Sequence, residues 1–590
     1  VIHVVWLSYR QDEGIIPRFY WDEGLLERLF DRRLWRPVRG HDYAHHIGFE
    51  WVPPDQGAVV VVPAQHHVDQ VDRLNADLAR LPWALTILAG DECSLFPWQR
   101  LVHRNMKLWV MTPRPHLHHP LCDPTAGGLD GRFIGEGYHV DTPDVLNALS
   151  PSAPRDLDWF FAGQVTHERR RRCVEALNHL PHLPSQLVET PGFTQGLERH
   201  DYLRRLAAAK VAPCPSGPGT PDSFRAYEAL EAGVLPLVDA VTSEGWHGYW
   251  SFMLGEHPPF PVVDEWSDLD VVMAQALDGW PANANRASAW WQRRKRTMSY
   301  DMEDDVTALS GIRPAAVEPE DRITVLIPTS PMPSCPDTTI IETTVASIRA
   351  QPDLAGAEII VMIDGVRAEQ ADRAGAYAEY VRRLLLLTNR WPNVVPFLAG
   401  GHLHQANLTR EALAMVHTPC VAFVEHDTPV DGVIPWGAMA NVIDTGEANV
   451  IRLHHESGVL EVHRPMMPDS VPQAVGGVPL LRCAQWSQRP HLASTDFYRW
   501  MIATHFGHEA RTMIEDVMHG VLDQAWREYG QEGWDRFRVW LYAPEGDIRR
   551  SRHTDGRGDD PKYAMVYEYD GDQPPGAPRS SAERAVLGLD

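Results

Sequence analysis

Cysteine is scarce in this chain. Seven residues in 590 (Cys93, Cys122, Cys173, Cys214, Cys335, Cys420 and Cys483) lie far apart, with no C-x-x-C pair. That spacing suggests neither a disulfide framework nor a thiolate zinc site. Long apolar runs are missing too: none approaches the roughly 20 residues of a membrane helix. The opening "VIHVVWLSYR" lacks the basic start and apolar stretch of a signal peptide, so a cytoplasmic protein is expected. Positive charge is in deficit, with 54 Lys and Arg against 79 Asp and Glu, a formal net charge of −25. A sequence-independent grip on nucleic acid is therefore disfavoured, although a local basic groove is not excluded. No repeat of fixed period is visible. Histidine is plentiful, at 29. The runs "HLHHP" (116–120) and "AQHHVDQ" (64–70) have no carboxylate or imidazole partners at helical spacing, so surface roles are expected.

Short apolar strands alternate with helical stretches over the first ~310 residues. Strands are expected at 1–7, 57–63, 84–90, 107–113, 158–163, 185–190, 210–215 and 233–239. Continuous apolar strands alternating with helices imply parallel sheets covered on both faces. These strands are too many for one comfortable sheet, and the Pro-bearing "LSPSAPRDLD" is a natural seam. Two Rossmann-like lobes are expected, at 1–150 and 151–310. The stretch 311–322, polar and aperiodic, reads as a linker. A third α/β unit, 323–590, starts at "ITVLIPTS" and continues through strands at 357–364, 393–400 and 420–427. The fold class is thus α/β: two Rossmann-like lobes, then an α/β domain with a mostly parallel central sheet.

Open α/β sheets bind ligands at the carboxyl ends of their strands. Three strand ends here carry polar groups: "IPTS" (327–330), "MIDG" (362–365) and "VEHDT" (424–428). Each singly is also an ordinary turn or cap. On successive parallel strands they converge on one crevice, where a hard divalent cation with oxygen ligands would relieve carboxylate repulsion and clamp a diphosphate.

The order "IPTS … MIDG … HQANLTREALA … FVEHD … IEDV" resembles the family-2 glycosyltransferases, which have the GT-A fold. The resemblance implies that Pro328 and Thr329 border the nucleotide and that Asp364 contacts base or ribose. It puts Asn407 in the place of the helix-start Asn. Glu425 and Asp427 stand at the ends of the D-x-D, with Asp427 the direct ligand of Mn²⁺ or Mg²⁺ and Glu425 on the metal, the ribose or a bound water. Asp516, beside Glu515, is the implied catalytic base, and His553 completes the metal shell. Arg549, Arg550 and Arg552 would neutralise the leaving diphosphate. The sequence departs from the family in having Glu first in the D-x-D, "DG" for a strand-end "DD", and no Arg at the helix start, where Gln405 is the nearest polar residue. "WSQRPHLASTDFYRW" (486–500) is expected to wall the acceptor, through Trp486 and Arg489.

In the first half, "KVAPCPSGPGTPDSFRAYEALEAGVLPLVD" (210–239) runs from a strand through a Gly/Pro/Ser loop into a helix. Ser223 is placed to cap that helix and Gly233 to close it. Its N-terminus is a natural diphosphate seat. Arg225 and Glu228 share a face, one for phosphate and one for ribose or sugar hydroxyls. With "WFFAGQ" and "HDYLRRLAAAK", this run resembles the C-terminal lobe of exostosin-like GT-B glycosyltransferases over residues 159–239. The implied donor residues are Gly163, Ser216, Gly217, Ser223, Arg225 and Glu228.

The expected function is a two-module glycosyltransferase using nucleotide-sugar donors, with UDP-sugars expected. Its GT-A site would be metal-dependent and inverting, its GT-B site metal-independent. The acceptor is a glycan, glycolipid or protein, including a virion protein; a modified DNA base is disfavoured by the acidic balance. Two alternatives stay open. The first module could be a non-catalytic sugar- or nucleotide-binding scaffold. A nucleotidyltransferase would share the acids but would want a Gly-rich basic loop that "TSPMPSCPD" (329–337) does not provide.

Overall fold

The computed structural model describes residues 2–7, 43–64, 67–89, 96–97, 100–102, 105–111, 131–135, 137–139, 141–180, 184–192, 195–243, 245–311, 318–509 and 511–554. The "HLHHP" run, His66 of the "AQHHVDQ" run, and 312–317 of the expected linker lie outside them. The chain divides into two compact units. Unit 1 is Val1–Ala316 with Arg382–Arg390, and unit 2 is Val317–Val381 with Trp391–Asp590.

Unit 1 contains two sheets. The first has six parallel strands in the order β2-β1-β3-β4-β5-β6: β1 (Ile2–Trp6), β2 (Tyr43–Ile47), β3 (Ala58–Pro63), β4 (Ala84–Ala89), β5 (Met106–Met111) and β6 (Gly131–Ile134). The second has five parallel strands in the order β11-β10-β9-β7-β8: β7 (Leu157–Gly163), β8 (Ser185–Glu189), β9 (Ala209–Cys214), β10 (Leu235–Asp239) and β11 (Val262–Val263). β3, β4 and β10 are apolar and almost wholly buried, as sheets covered on both faces require. Every expected strand of this half forms, with ends moved by a residue or two. β2, β6 and β11 were not expected; they are short and carry no continuous apolar run.

Unit 2 is built on a nine-stranded sheet. Its strands are β12 (Ile323–Thr329), β13 (Glu358–Ile363), β14 (Val394–Leu398), β15 (Cys420–Phe423), β16 (Val450–Arg452), β17 (Gln473–Val475), β18 (Val478–Arg482), β19 (His491–Ser494) and β20 (Val539–Tyr542). They lie in the order β14-β13-β12-β15-β19-β16-β20-β18-β17. β12 to β15 are parallel to their neighbours in that group. From β19 onward the sheet is mixed and largely antiparallel.

One apolar cluster sets the geometry of the site. Ala406, Leu408 and Leu413 of helix His404–Leu413 pack with Met501 and Ile502 of helix Thr495–His505, and with Ile514, Met518 and Leu522 of helix Ile514–Tyr529. Burial of these side chains fixes the start of the third helix beside the start of the first. Among the described residues no helix is long and apolar enough to cross a membrane.

Candidate functional site

The carboxyl ends of β12, β13 and β15 surround a cleft of about 90 Å³ lined by Pro328, Thr329, Asp364, Gln405, Glu425 and Met513, among others. β15 stops at Phe423, earlier than the run "CVAFVEHD" suggests, so Glu425 and Asp427 sit in the turn that leaves it. Asp364 forms part of the wall. Its carboxylate accepts the N–H groups of Gly365 (2.8 Å), Leu403 (2.7 Å) and His404 (3.0 Å), and stands 3.0 Å from His402 Nδ1. It therefore shapes the loop 401–404 as well as the cleft. A Cβ on Gly365 would meet the Gly401 backbone at 2.3 Å, so no larger residue fits there. The Thr329 hydroxyl turns away into the core to Tyr380 Oη (2.9 Å), leaving its backbone to border the cleft. His404 has φ +62° and its ring contacts Arg367 Nη2 at 2.9 Å. Arg367 and His404 line the cleft and were not expected; "RAEQ" carries no local signal for it.

Asp427 is 1% exposed. A returning C-terminal segment crosses over it. Ile548 N–H donates to Ser457 O (3.1 Å), Arg550 N–H to His454 O (2.8 Å), Asp431 N–H to Arg550 O (2.8 Å), and Thr554 N–H to Asp427 O (2.9 Å). These bonds bring His553 Nδ1 to 3.7 Å from Asp427 Oδ2, with no hydrogen bond on that nitrogen. Two of the three expected metal ligands, 126 positions apart, are thus adjacent. The third is not part of a ligand group: no three His, Cys, Asp or Glu side chains among the described residues are grouped to hold a metal. The Glu425 carboxylate instead accepts from Gln405 Nε2 (3.0 Å). Of the expected arginines, Arg552 pairs with Asp431, and Arg550 is tied to Asp547 O (2.9 Å) and Arg549 O (2.5 Å). Both are engaged locally rather than aimed at a diphosphate.

Beside that segment lies a polar arc of which sequence reading named only Arg489. Arg489 forms a two-pronged pair with Glu456 (2.5 and 2.7 Å) and contacts His454 Nδ1 at 2.5 Å. His455 Nδ1 contacts Ser551 Oγ (2.7 Å), and its ring meets His553 edge-on. Burial and the neighbouring Arg489 hold both His454 and His455 down at about 3, so both are neutral near pH 7. Burial alone would raise Glu456, but Arg489 outweighs it and holds the carboxyl below its ordinary value. The signal was present: "VIRLHHES" is a fourth strand ending in polar residues.

Glu515 and Asp516 open helix Ile514–Tyr529, where the helix dipole favours acids. Glu515 is half-buried and accepts Gln488 N–H (3.0 Å), whereas Asp516 is exposed. Two expectations are corrected here. Trp486 is 1% exposed and packs against His491 and Tyr498, so it presents no face to an acceptor. Asn407 does not border the cleft. It donates to His508 O (2.9 Å) and accepts from Arg410, which also holds Phe506 O, so both secure the loop before the Glu515–Asp516 helix. Arg489 lies near the expected place, but Glu456 occupies its guanidinium.

In unit 1, Gly163 ends β7 where a Cβ would stand 2.4 Å from Arg225 Nη2. Glycine there admits Arg225, which donates to Ala162 O (2.9 Å) with its guanidinium centre 4.9 Å from the Phe161 ring centroid. Ser223 occupies the cap position but makes no capping bond, while Gly233, at φ +65°, closes the helix as expected. Ser216 N–H reaches Asp239 Oδ2 (3.3 Å), and its carbonyl accepts from His167 and Arg170 (both 3.0 Å); Gly217 follows, half-buried. Asp239, unexpected and fully buried, also binds Arg169 and Trp266 Nε1 (3.2 Å). Glu228 is corrected: it is wholly buried, and its two oxygens accept from Arg199 Nη1 (2.5 Å) and Tyr202 Oη (2.8 Å). It is not placed to take ribose or sugar hydroxyls.

No family model matches the chain, and no curated protein matches it. Among solved structures, S. aureus TarS 1-349 aligns at 14% identity and TM-score 0.25, over 40% of this chain and 61% of that one. The mannosyltransferase PcManGT from Pyrobaculum calidifontis, in complex with GDP-Man and Mn²⁺, aligns at 12% identity and TM-score 0.26, over 47% of this chain and 66% of that one. The chain thus spans about three fifths to two thirds of the length of these two structures. Likenesses this distant carry no argument for what the chain does.

Proposed function

We propose that the chain is a glycosyltransferase whose unit 2 moves a sugar from a nucleoside diphosphate donor to a hydroxyl acceptor. The observation that carries this reading is the convergence of Asp427 and His553, 3.7 Å apart, in the turn whose Glu425 lines the β12–β13–β15 cleft together with Asp364. An acidic pocket beside an imidazole at parallel strand ends suits a cation-bridged diphosphate.

Asp427 and His553 would hold a divalent cation, the donor's phosphates supplying further oxygens. That cation, when bound, neutralises the charge of the departing diphosphate. Pro328, Asp364 and Arg367 border the nucleoside end. At the acceptor end, Asp516, with Glu515 beside it, takes the hydroxyl proton while the acceptor oxygen bonds to the anomeric carbon. The bond from that carbon to the diphosphate oxygen breaks, and the nucleoside diphosphate leaves with its electron pair. One displacement of this kind inverts the anomeric centre.

For unit 1, the burial of Glu228 and the 5% exposure of Arg225 favour the scaffold reading over a second active site. Hydrolysis of a panel of UDP- and GDP-sugars, with and without Mn²⁺, tests both readings on the intact chain and on Asp427→Ala and Arg225→Ala. Metal-dependent turnover lost in the first variant and kept in the second supports them. Absence of turnover or binding with every donor removes the transferase reading.

A further inference from the structure

We propose that Gln405 is a positioning residue that couples the donor end of the unit 2 site to its acceptor end through one amide. Its Nε2 donates to Glu425 Oε1 (3.0 Å), and its Oε1 accepts the N–H of Ile514 (3.0 Å). The two partners lie 20 and 109 positions away along the chain. The inference rests on the transferase reading above.

The chemistry calls for a primary amide at this point. Ile514 is the first residue of the helix that carries Glu515 and Asp516, and the preceding residue, Met513, has no side-chain acceptor for the helix's orphan N–H groups. Ile514 is fully buried, so water does not replace the missing cap. Gln405 provides it from another helix. Glu425, at the other end, needs a donor rather than a second carboxylate. Only a side chain with one donor and one acceptor serves both, and the two contacts fix which way the amide points. Gln405 is itself held in place: it is 6% exposed, its backbone N–H donates to His404 Nδ1 (2.9 Å), and its carbonyl accepts from Thr409 Oγ1 (2.8 Å). Within the apolar packing that holds the two helices together, this one amide links the cleft acid to the start of the base-bearing helix.

Three full-length variants separate the halves of the bridge. Gln405→Glu keeps the acceptor for Ile514 but repels Glu425. Gln405→Leu removes both contacts at similar volume. Gln405→Asn keeps the chemistry but is one methylene short. Two readouts are used: steady-state kcat and KM for the donor found active with wild type, and amide hydrogen exchange over 513–518. The expected result for Gln405→Leu is a kcat 10- to 100-fold lower, with exchange over 513–518 at least tenfold faster. For Gln405→Glu, exchange stays within threefold of wild type while donor KM rises tenfold or more. Gln405→Asn should fall between wild type and Gln405→Leu in kcat. A residue that merely fills space would lower the melting temperature of Gln405→Leu and leave kcat per folded molecule and the exchange pattern unchanged. That result overturns the proposal, as does Gln405→Glu behaving like Gln405→Leu in exchange. A wild-type chain that turns over no donor removes the transferase reading, and the exchange arm still decides whether the bridge holds the helix.

Discussion

The two units place the same kind of residue at the same kind of position and use it differently. In unit 1, Arg225 and Glu228 rise from the start of a helix beyond parallel strand ends, and both turn inward. Glu228 is saturated by Arg199 and Tyr202, and Arg225 lies against Phe161. In unit 2, Glu425 and Asp427 follow β15; Glu425 lines a cleft, and His553 is brought to 3.7 Å from the buried Asp427. A polar group at a strand end becomes a site only when the surrounding side chains leave it something to bind. In unit 1 the Arg199–Glu228 contact consumes that capacity, whereas in unit 2 an imidazole, His553, stands 3.7 Å from Asp427.

The largest expected effect comes from Asp427→Ala. Removing a charge-stabilising group of this kind costs about 10²–10³-fold in turnover, measured as metal-dependent donor hydrolysis with the melting temperature unchanged within a few degrees. Wild-type turnover in this variant would erase the contrast between the units. Next, Glu228→Ala should destabilise unit 1 by about 3 kcal/mol, because it leaves Arg199 and Tyr202 without their buried partner, and should leave unit 2 turnover intact. Chemical denaturation followed by Trp fluorescence reads the first, and the donor assay the second. Lost turnover with unchanged stability would make Glu228 a ligand-binding residue after all.

A third prediction concerns pH. Burial pushes His491 down from 6.5 to about 4, and the residue is fully enclosed by Phe423 and Tyr498. Its folded pKa is depressed, so the unfolded chain binds the proton more readily. The stability it contributes is complete above about pH 6.5 and declines as pH falls towards 4, by about 1.4 kcal/mol per pH unit. His491→Gln should flatten the pH dependence of the urea midpoint by about one proton. The smallest effect is expected for Arg552→Ala. Its pair with Asp431 is largely solvated, and its loss should change stability by under about 1 kcal/mol. A large loss of turnover in this variant would return the basic loop to the diphosphate.

Much of the fold was legible, but unevenly. The runs "AVVVVP", "ALTILA" and "ITVLIPT" are strands because their unbroken apolar character is stable only between covered faces. β16, β17 and β18 escaped notice because strands of three to five residues are too short to give such a run. In the site, the family resemblance singled out Asp427 and His553, which the fold brings to 3.7 Å from each other. The settings of Asn407 and Trp486 were not legible, because whether a side chain faces the cleft or the core depends on what packs against it. Gln405 stood out only as the residue nearest a missing Arg. Its role became visible once Glu425 and Ile514 were found on either side of its amide.

The sequence by itself determined the α/β class and the polar strand ends of the second half, since backbone pairing and apolar burial act over a few residues at a time. The tertiary structure decided which neighbour each of those polar groups meets. Hydrogen-bond satisfaction is a property of neighbours in space, and the neighbours that matter here, Arg199 for Glu228, His553 for Asp427 and Ile514 for Gln405, lie 29, 126 and 109 positions away.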